Sequence, residues 1–187
     1  MNLHLLGDGM DRTVISGNLS TNMGYTTFLT ATVKIIADGF VDKGVAFENT
    51  AGVNMNQSVA LANEGRNSAF YKCRFSGYQD TLYVKHGIQF FRECHIYGTV
   101  DFIFGDASAL FQNCSVYARR PRQGQSNTIT AQKRESEEHV TGIVLQNCKI
   151  DAAPDLQPML NVSTYLGRSW RNYSTTVIMQ SYLGELI

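Results

Sequence analysis

Phe70-Tyr71-Lys72-Cys73-Arg74-Phe75 sets apolar side chains at its two ends, polar ones between them and a small cysteine at its fourth position. The chain repeats this pattern. Phe91-Arg92-Glu93-Cys94-His95-Ile96, Phe111-Gln112-Asn113-Cys114-Ser115-Val116 and Leu145-Gln146-Asn147-Cys148-Lys149-Ile150 are further copies, and Phe47-Glu48-Asn49-Thr50 reads as a degenerate earlier one. From Thr50 the fourth position advances by 23, 21, 20 and then 34 residues, so three steps share a period and the last contains an excursion. Apolar alternation inside each copy specifies strands with one buried face, and no segment sustains a helical period. A repeat of that length, with Gly and Asn between strands, suits an all-β solenoid in which each coil stacks on the next around a continuous core. Leucine-rich repeats share the period but need a leucine ladder and an asparagine signature that are absent here. A two-sheet sandwich is the competing architecture.

In a solenoid, residues at equal offset from the repeat position stack on neighbouring coils about 4.8 Å apart. Seven residues beyond Thr50, Cys73 and Cys94 stand Gln57, Asp80 and Asp101, while the next copy gives Pro121. With Gln79 beside Asp80, two carboxylates and two amides are expected at one place on the surface. Paired carboxylates suit acid–base and nucleophilic work, because each raises the proton affinity of the other and one stays ionised. Asp is also a favoured turn residue, so either carboxylate alone could be no more than a turn former.

The totals narrow the alternatives. The 187 residues fit one domain, 43% of them hydrophobic and 17% charged, with 16 basic against 16 acidic side chains. That balance gives no electrostatic footprint for nucleic acid or for an anionic membrane, and no apolar run approaches the ~18 residues of a spanning helix. His4, His86, His95 and His139 lack metal-ligand spacing and the four cysteines form no Cys-x-x-Cys pair, so no zinc site is implied. Asn-x-Ser sequons at Asn18, Asn56, Asn113, Asn161 and Asn172 fit a secretory origin, although no signal segment is visible before Leu3.

Four segments carry a family resemblance. Gln57-Ser58-Val59-Ala60-Leu61, Gly77-Tyr78-Gln79-Asp80-Thr81-Leu82-Tyr83, Gly98-Thr99-Val100-Asp101-Phe102-Ile103-Phe104-Gly105 and Leu166-Gly167-Arg168-Ser169-Trp170 resemble, in order, the signature segments of plant-type pectin methylesterases. The similarity runs from Asn2 to Gln180. It implies a right-handed, single-stranded parallel β-helix and hydrolysis of the C6 methyl esters of polygalacturonan to carboxylates and methanol, without a cofactor. By this resemblance Asp101 is the nucleophile, Asp80 the general acid and then base, and Gln57 and Gln79 the oxyanion donors. Arg168 pairs with the nucleophile, and Thr27, Gln57, Phe104, Arg168 and Trp170 contact substrate. The implied partners are pectin and a proteinaceous pectin methylesterase inhibitor, the implied state is a monomer, and the implied location is outside the cell, in the cell wall. The resemblance also favours a disulfide between Cys114 and Cys148, leaving Cys73 and Cys94 as buried thiols.

The sequence departs from the family in three respects. Residues 1–187 read as a partial catalytic domain without its initial and final coils, entering in a strand-like segment at Met1, so open coil edges are expected at both ends. Ser169 replaces the usual Pro between Arg168 and Trp170, which frees backbone that aims both side chains. Asp106 follows Gly105 where Asn is common. Other β-helical pectin enzymes, galacturonan hydrolases or lyases, are the alternative activity, and a non-catalytic pectin-binding protein is the alternative class.

Overall fold

A computed structural model of the chain describes residues 3–159 and 161–187. Met1 lies outside them, and the first strand is His4–Leu6. The fold is an all-β parallel β-helix built from two sheets of seven strands and one of six, and every strand pairing between coils is parallel.

The repeated hexapeptide is the corner between the first two sheets. Its first two residues end a strand of sheet one (Ser68–Tyr71, Ile88–Arg92, Ser108–Gln112, Gly142–Gln146) and its last two begin a strand of sheet two (Arg74–Ser76, His95–Gly98, Ser115–Ala118, Lys149–Ala152). The third residue turns the chain. Lys72, Glu93, Asn113 and Asn147 all take positive φ, between 51° and 56°. Each N–H there donates to the next coil, as Lys72 does to Arg92 O at 3.0 Å and Glu93 to Gln112 O at 3.1 Å. These bonds offset the ~1–2 kcal/mol that a left-handed non-glycine residue costs. The exposed position needs a polar side chain, which is why the motif is polar there.

The motif's terminal apolar residues fill the interior. Phe70, Phe91 and Phe111 stack in register from sheet one with centroids 4.7 and 4.4 Å apart, and Phe75 meets the first two edge-on at 5.6 and 5.7 Å. Offset and edge-on pairs of this kind contribute about 0.5–1.5 kcal/mol each beyond the area they bury. Sheet two lines the opposite wall with Phe47, Phe75, Ile96, Val116 and Ile150 in one ladder.

Two expectations need correction. Phe47 pairs with Phe75 rather than with Phe70, and Ala46 sits opposite Arg74, so Val45 is the counterpart of Cys73 and Thr50 is not. The residues between Asn49 and Leu61 form a connection longer than that between Ser76 and Leu82, and this hides the true register of the early coil. The cysteines stack as a ladder, but all four are free thiols. Three of the sulfurs turn back toward the preceding coil: the Cys94, Cys114 and Cys148 Sγ atoms reach Phe70 O, Phe91 O and Phe111 O at 3.4, 3.5 and 3.4 Å. Cys148 thus repeats the orientation of its neighbours instead of pairing with Cys114.

Sheet three (Val33–Ile35, Leu61–Asn63, Leu82–Val84, Val100–Gly105, Asn127–Gln132, Thr164–Ser169) carries the functional face. Leu61, Leu82 and Ile103 point inward in one register, and the alternate register Ala62, Tyr83, Phe104, Ala131, Arg168 faces outward. Gly105 closes the central strand at φ 136°, where an added Cβ would stand 2.0 Å from Val84 O. We expect Gly105→Ala to destabilise the fold by roughly 2–3 kcal/mol, from the strained φ and the displaced strand together. Chemical denaturation against the unsubstituted chain measures it, and an unchanged midpoint would contradict the argument.

Candidate active site

The outward register of sheet three forms the floor of a cleft of about 180 Å³. Tyr83 and Phe104 lie stacked, 4.3 Å between centroids, and Trp170 tilts against Phe104 at 6.0 Å. Thr27, Gln57, Gln79, Asp80, Asp101 and Arg168 complete the lining with Ala131. Every residue expected at the site from the sequence is therefore in one place. Phe104 is only 2% exposed, so just a sliver of its ring faces the cleft.

Both carboxylates stand on left-handed backbone, Asp80 at φ 63° and Asp101 at φ 52°. Asp101 also sits in an irregularity of the sheet: Val100 pairs with Thr128 but Ile103 pairs with Thr130, so two residues oppose one. A bulge of this kind re-aims a side chain out of the alternating pattern, and such features concentrate beside active sites. Here it brings Asp101 to the cleft although Ile103, two residues on and on the same face by strict alternation, is fully buried in the core.

Arg168 holds Asp101 in a two-pronged pair. Its Nε donates to Oδ1 at 2.7 Å and its Nη2 donates to Oδ2. Planar guanidinium and carboxylate groups match in this geometry, which fixes the plane of the carboxylate and its direction into the cleft. Asp101 is 5% exposed and the Arg168 side chain 55%, so the pair is buried on the carboxylate side and open on the other. Strand pairing aims the arginine: Ala131 opposes Arg168, Gln132 opposes Ser169, and Trp170 N–H donates to Gln132 O at 3.1 Å. Serine at position 169 thus stands in a ladder that restrains the backbone.

Asp80 has the opposite environment. It is 8% exposed, and no hydrogen bond reaches its carboxyl group among the described residues. Burial first and the charge of Asp101 second push its proton affinity well above the usual carboxylate range, with Arg168 opposing them in part. The cleft therefore holds one carboxyl that favours its proton and one that is paired with an arginine, two unlike environments of the kind that acid–base catalysis needs.

The amides come from neighbouring turns. Ser58 N–H donates to Gln79 O at 3.1 Å and Thr21 N–H to Gln57 O at 3.1 Å, linking three successive coils. Thr21 Oγ1 also donates to Gln57 Oε1 at 2.8 Å, which turns the amide nitrogen away from that contact. Gln57 reaches the cleft from the long connection between Asn49 and Leu61 and not from the register the repeat suggested. Thr21 and Tyr83 were not singled out from the sequence. Counting back 21 residues from Phe104 finds Tyr83, whereas Thr21 gives no signal of its own.

The sequence matches the pectinesterase family along residues 1–187. The chain belongs to the pectinesterase family. It is 51% identical over 187 residues to the probable pectinesterase/pectinesterase inhibitor 17 of Arabidopsis thaliana, covering all of this chain and 36% of that protein. The solved pectin methylesterase from carrot superposes with a TM-score of 0.94 at 48% identity, over 95% of this chain and 56% of that one. A pectin methylesterase solved in complex with a hexasaccharide has a TM-score of 0.81 at 28% identity, over 97% of this chain and 65% of that one. The chain spans about a third of the length of the curated relatives it matches.

Proposed function

We propose that the cleft hydrolyses the methyl esters of pectin. The observation that carries this reading is the unlike pair of carboxyls, an arginine-held Asp101 beside a buried, proton-retaining Asp80. The ionised Asp101 attacks the ester carbonyl carbon, and Gln57 and Gln79 donate to the oxygen that becomes negative. As the tetrahedral adduct collapses, Asp80 gives its proton to the methoxy oxygen and methanol leaves, with the acyl group held on Asp101 as a mixed anhydride. Asp80, now ionised, takes a proton from water while the hydroxyl adds to the acyl carbon. Collapse of the second adduct frees the galacturonic acid, returns Asp101 as a carboxylate and leaves Asp80 protonated for the next cycle.

The hexasaccharide found on one similar pectin methylesterase supports a polymeric galacturonan as the ligand here. Thr27, Phe104 and Trp170 then receive the sugar, with the flat indole suited to the apolar face of a ring. We place residues 1–187 within the catalytic domain of a larger secreted protein of the cell wall. A pectinesterase inhibitor, of the kind that relatives such as the probable pectinesterase/pectinesterase inhibitor 17 are named for, is a candidate partner.

Supplying methyl-esterified pectin and following methanol, new reducing ends and unsaturated products separates the possibilities. Methanol alone is expected. Reducing ends or unsaturated ends would identify a chain-cleaving enzyme, and binding without any product would identify a pectin-binding protein. The rate is also expected to fall on the alkaline side as Asp80 loses its proton. Removing the Arg168 charge raises the Asp80 proton affinity further, so the alkaline limb of an Arg168→Met variant should move to higher pH.

A further inference from the structure

One arginine outside the cleft is bonded to the backbone that carries the site. Arg119 follows the strand Ser115–Ala118, and its N–H donates to Gly98 O at 2.7 Å. Its own carbonyl accepts from Asn127 Nδ2 at 3.1 Å. The guanidinium then reaches back across two coils. Nη1 donates to Gly77 O at 3.0 Å, Nη2 donates to the Tyr78 hydroxyl at 2.8 Å, and the group lies 3.9 Å from the centre of the Tyr78 ring. Asp155 meets Nε from the outer side at 3.4 Å. The arginine side chain is 24% exposed, so these contacts are largely shielded from water.

Gly77 and Tyr78 immediately precede Gln79 and Asp80. The left-handed Asp80 persists only if its surroundings over-determine it. Part of that restraint comes from the main chain, where Asp80 N–H donates to Val100 O at 3.0 Å and Thr99 N–H to Tyr78 O at 2.9 Å. Arg119 adds the Gly77 carbonyl and the Tyr78 ring and hydroxyl, which those bonds leave free. A planar fork serves both acceptors while stacking on the ring, which a lysine cannot do.

We propose that Arg119 is a positioning residue, whose clamp on Gly77 and Tyr78 sets where the Gln79 amide and the Asp80 carboxyl stand in the cleft. This rests on the reading of the cleft as an ester-hydrolysing site. Among the described residues the hydrogen-bond partners of Arg119 all lie outside the lining of the cleft.

Arg119→Met keeps much of the side-chain volume and removes both hydrogen bonds, and Tyr78→Phe removes the hydroxyl contact alone. Small displacements of reacting groups cost as much as ~10²-fold in rate. Arg119→Met is therefore expected to lower kcat roughly 10- to 100-fold with KM nearly unchanged, because Thr27, Phe104 and Trp170 are untouched. Tyr78→Phe should lose less, and added guanidinium ion should restore part of the activity of Arg119→Ala. An NMR titration of the Asp80 carboxyl is read alongside, in a sample labelled on aspartate. Loosening the turn admits water, so the Asp80 midpoint should fall toward the ordinary carboxylate range in Arg119→Met. Should the unsubstituted chain release no methanol, the catalytic reading fails while the titration still reports on the clamp. Should Arg119→Met fail to fold, Tyr78→Phe decides by the same two measurements. An unchanged Asp80 midpoint and an unchanged kcat overturn the proposal.

Discussion

Asp101→Asn is expected to abolish methanol release while leaving the fold intact. Asparagine keeps the shape of the side chain but offers the ester no negative oxygen, and removal of a nucleophile in comparable hydrolases lowers the rate by on the order of 10⁴- to 10⁶-fold. Folding survives for two reasons. Asn is among the few non-glycine residues that adopt positive φ readily, so the backbone at φ 52° is retained. Arg168, released from its partner, is 55% exposed and can be hydrated, so no buried charge is orphaned. The substitution also removes the negative charge that raises the proton affinity of Asp80 and frees Arg168 to lower it, so the Asp80 titration should move down. Methanol release, thermal unfolding and the Asp80 titration together check this. Methanol release near the unsubstituted rate would eliminate Asp101 as nucleophile, and collapse of the fold would show that the Arg168 pair is structural.

The two carboxylates could be placed from the sequence because the coils that carry them are the regular ones. Cys73 and Cys94 are 21 residues apart, and so are Asp80 and Asp101 and the paired Leu82 and Ile103, so counting along the chain equals climbing the helix. The count fails where a connection swells. Residues Asn49 to Leu61 carry Gln57 to the cleft by a route of their own, and the degenerate copy aligns Phe47 with Phe70 although Phe47 pairs with Phe75 in sheet two. Pro121, which stands at the same offset from Cys114, falls in the connection between Ala118 and Asn127. The bulge at Asp101 and the reach of Arg119 across two coils leave no trace in periodicity, because both depend on how coils meet in space.

Asp42 is a further residue that the misread register concealed, and it supports the second large prediction. In sheet one the ladder runs Leu5, Asp42, Phe70, Phe91, Phe111, Leu145, Ile178, a column of apolar side chains with one carboxylate in it. Asp42 is fully buried, and among the described residues neither carboxylate oxygen has a hydrogen-bond partner. The Cys73 thiol and the Lys43 backbone N–H lean toward it without reaching hydrogen-bond geometry, and burial pushes its pKa from 3.8 up to about 7. The sign follows from the raised value. The folded state holds the Asp42 proton longer than the unfolded state, so the stability that the proton preserves is complete below about pH 4 and is lost as pH rises toward 7. At 1.36 kcal/mol per pH unit, a rise from 3.8 to about 7 corresponds to roughly 4 kcal/mol. Asp42→Val puts a β-branched apolar side chain between Leu5 and Phe70 and removes the ionisation altogether. The variant should exceed the parent in stability by roughly 4 kcal/mol or more at pH 8, and by progressively less as pH falls from 7 toward 4. Asp42→Asn, which keeps the polar volume without the charge, should show the same pH dependence of the difference. Urea unfolding across that pH range provides the test. A difference that stays constant with pH would show that Asp42 is ionised and solvated in the folded protein.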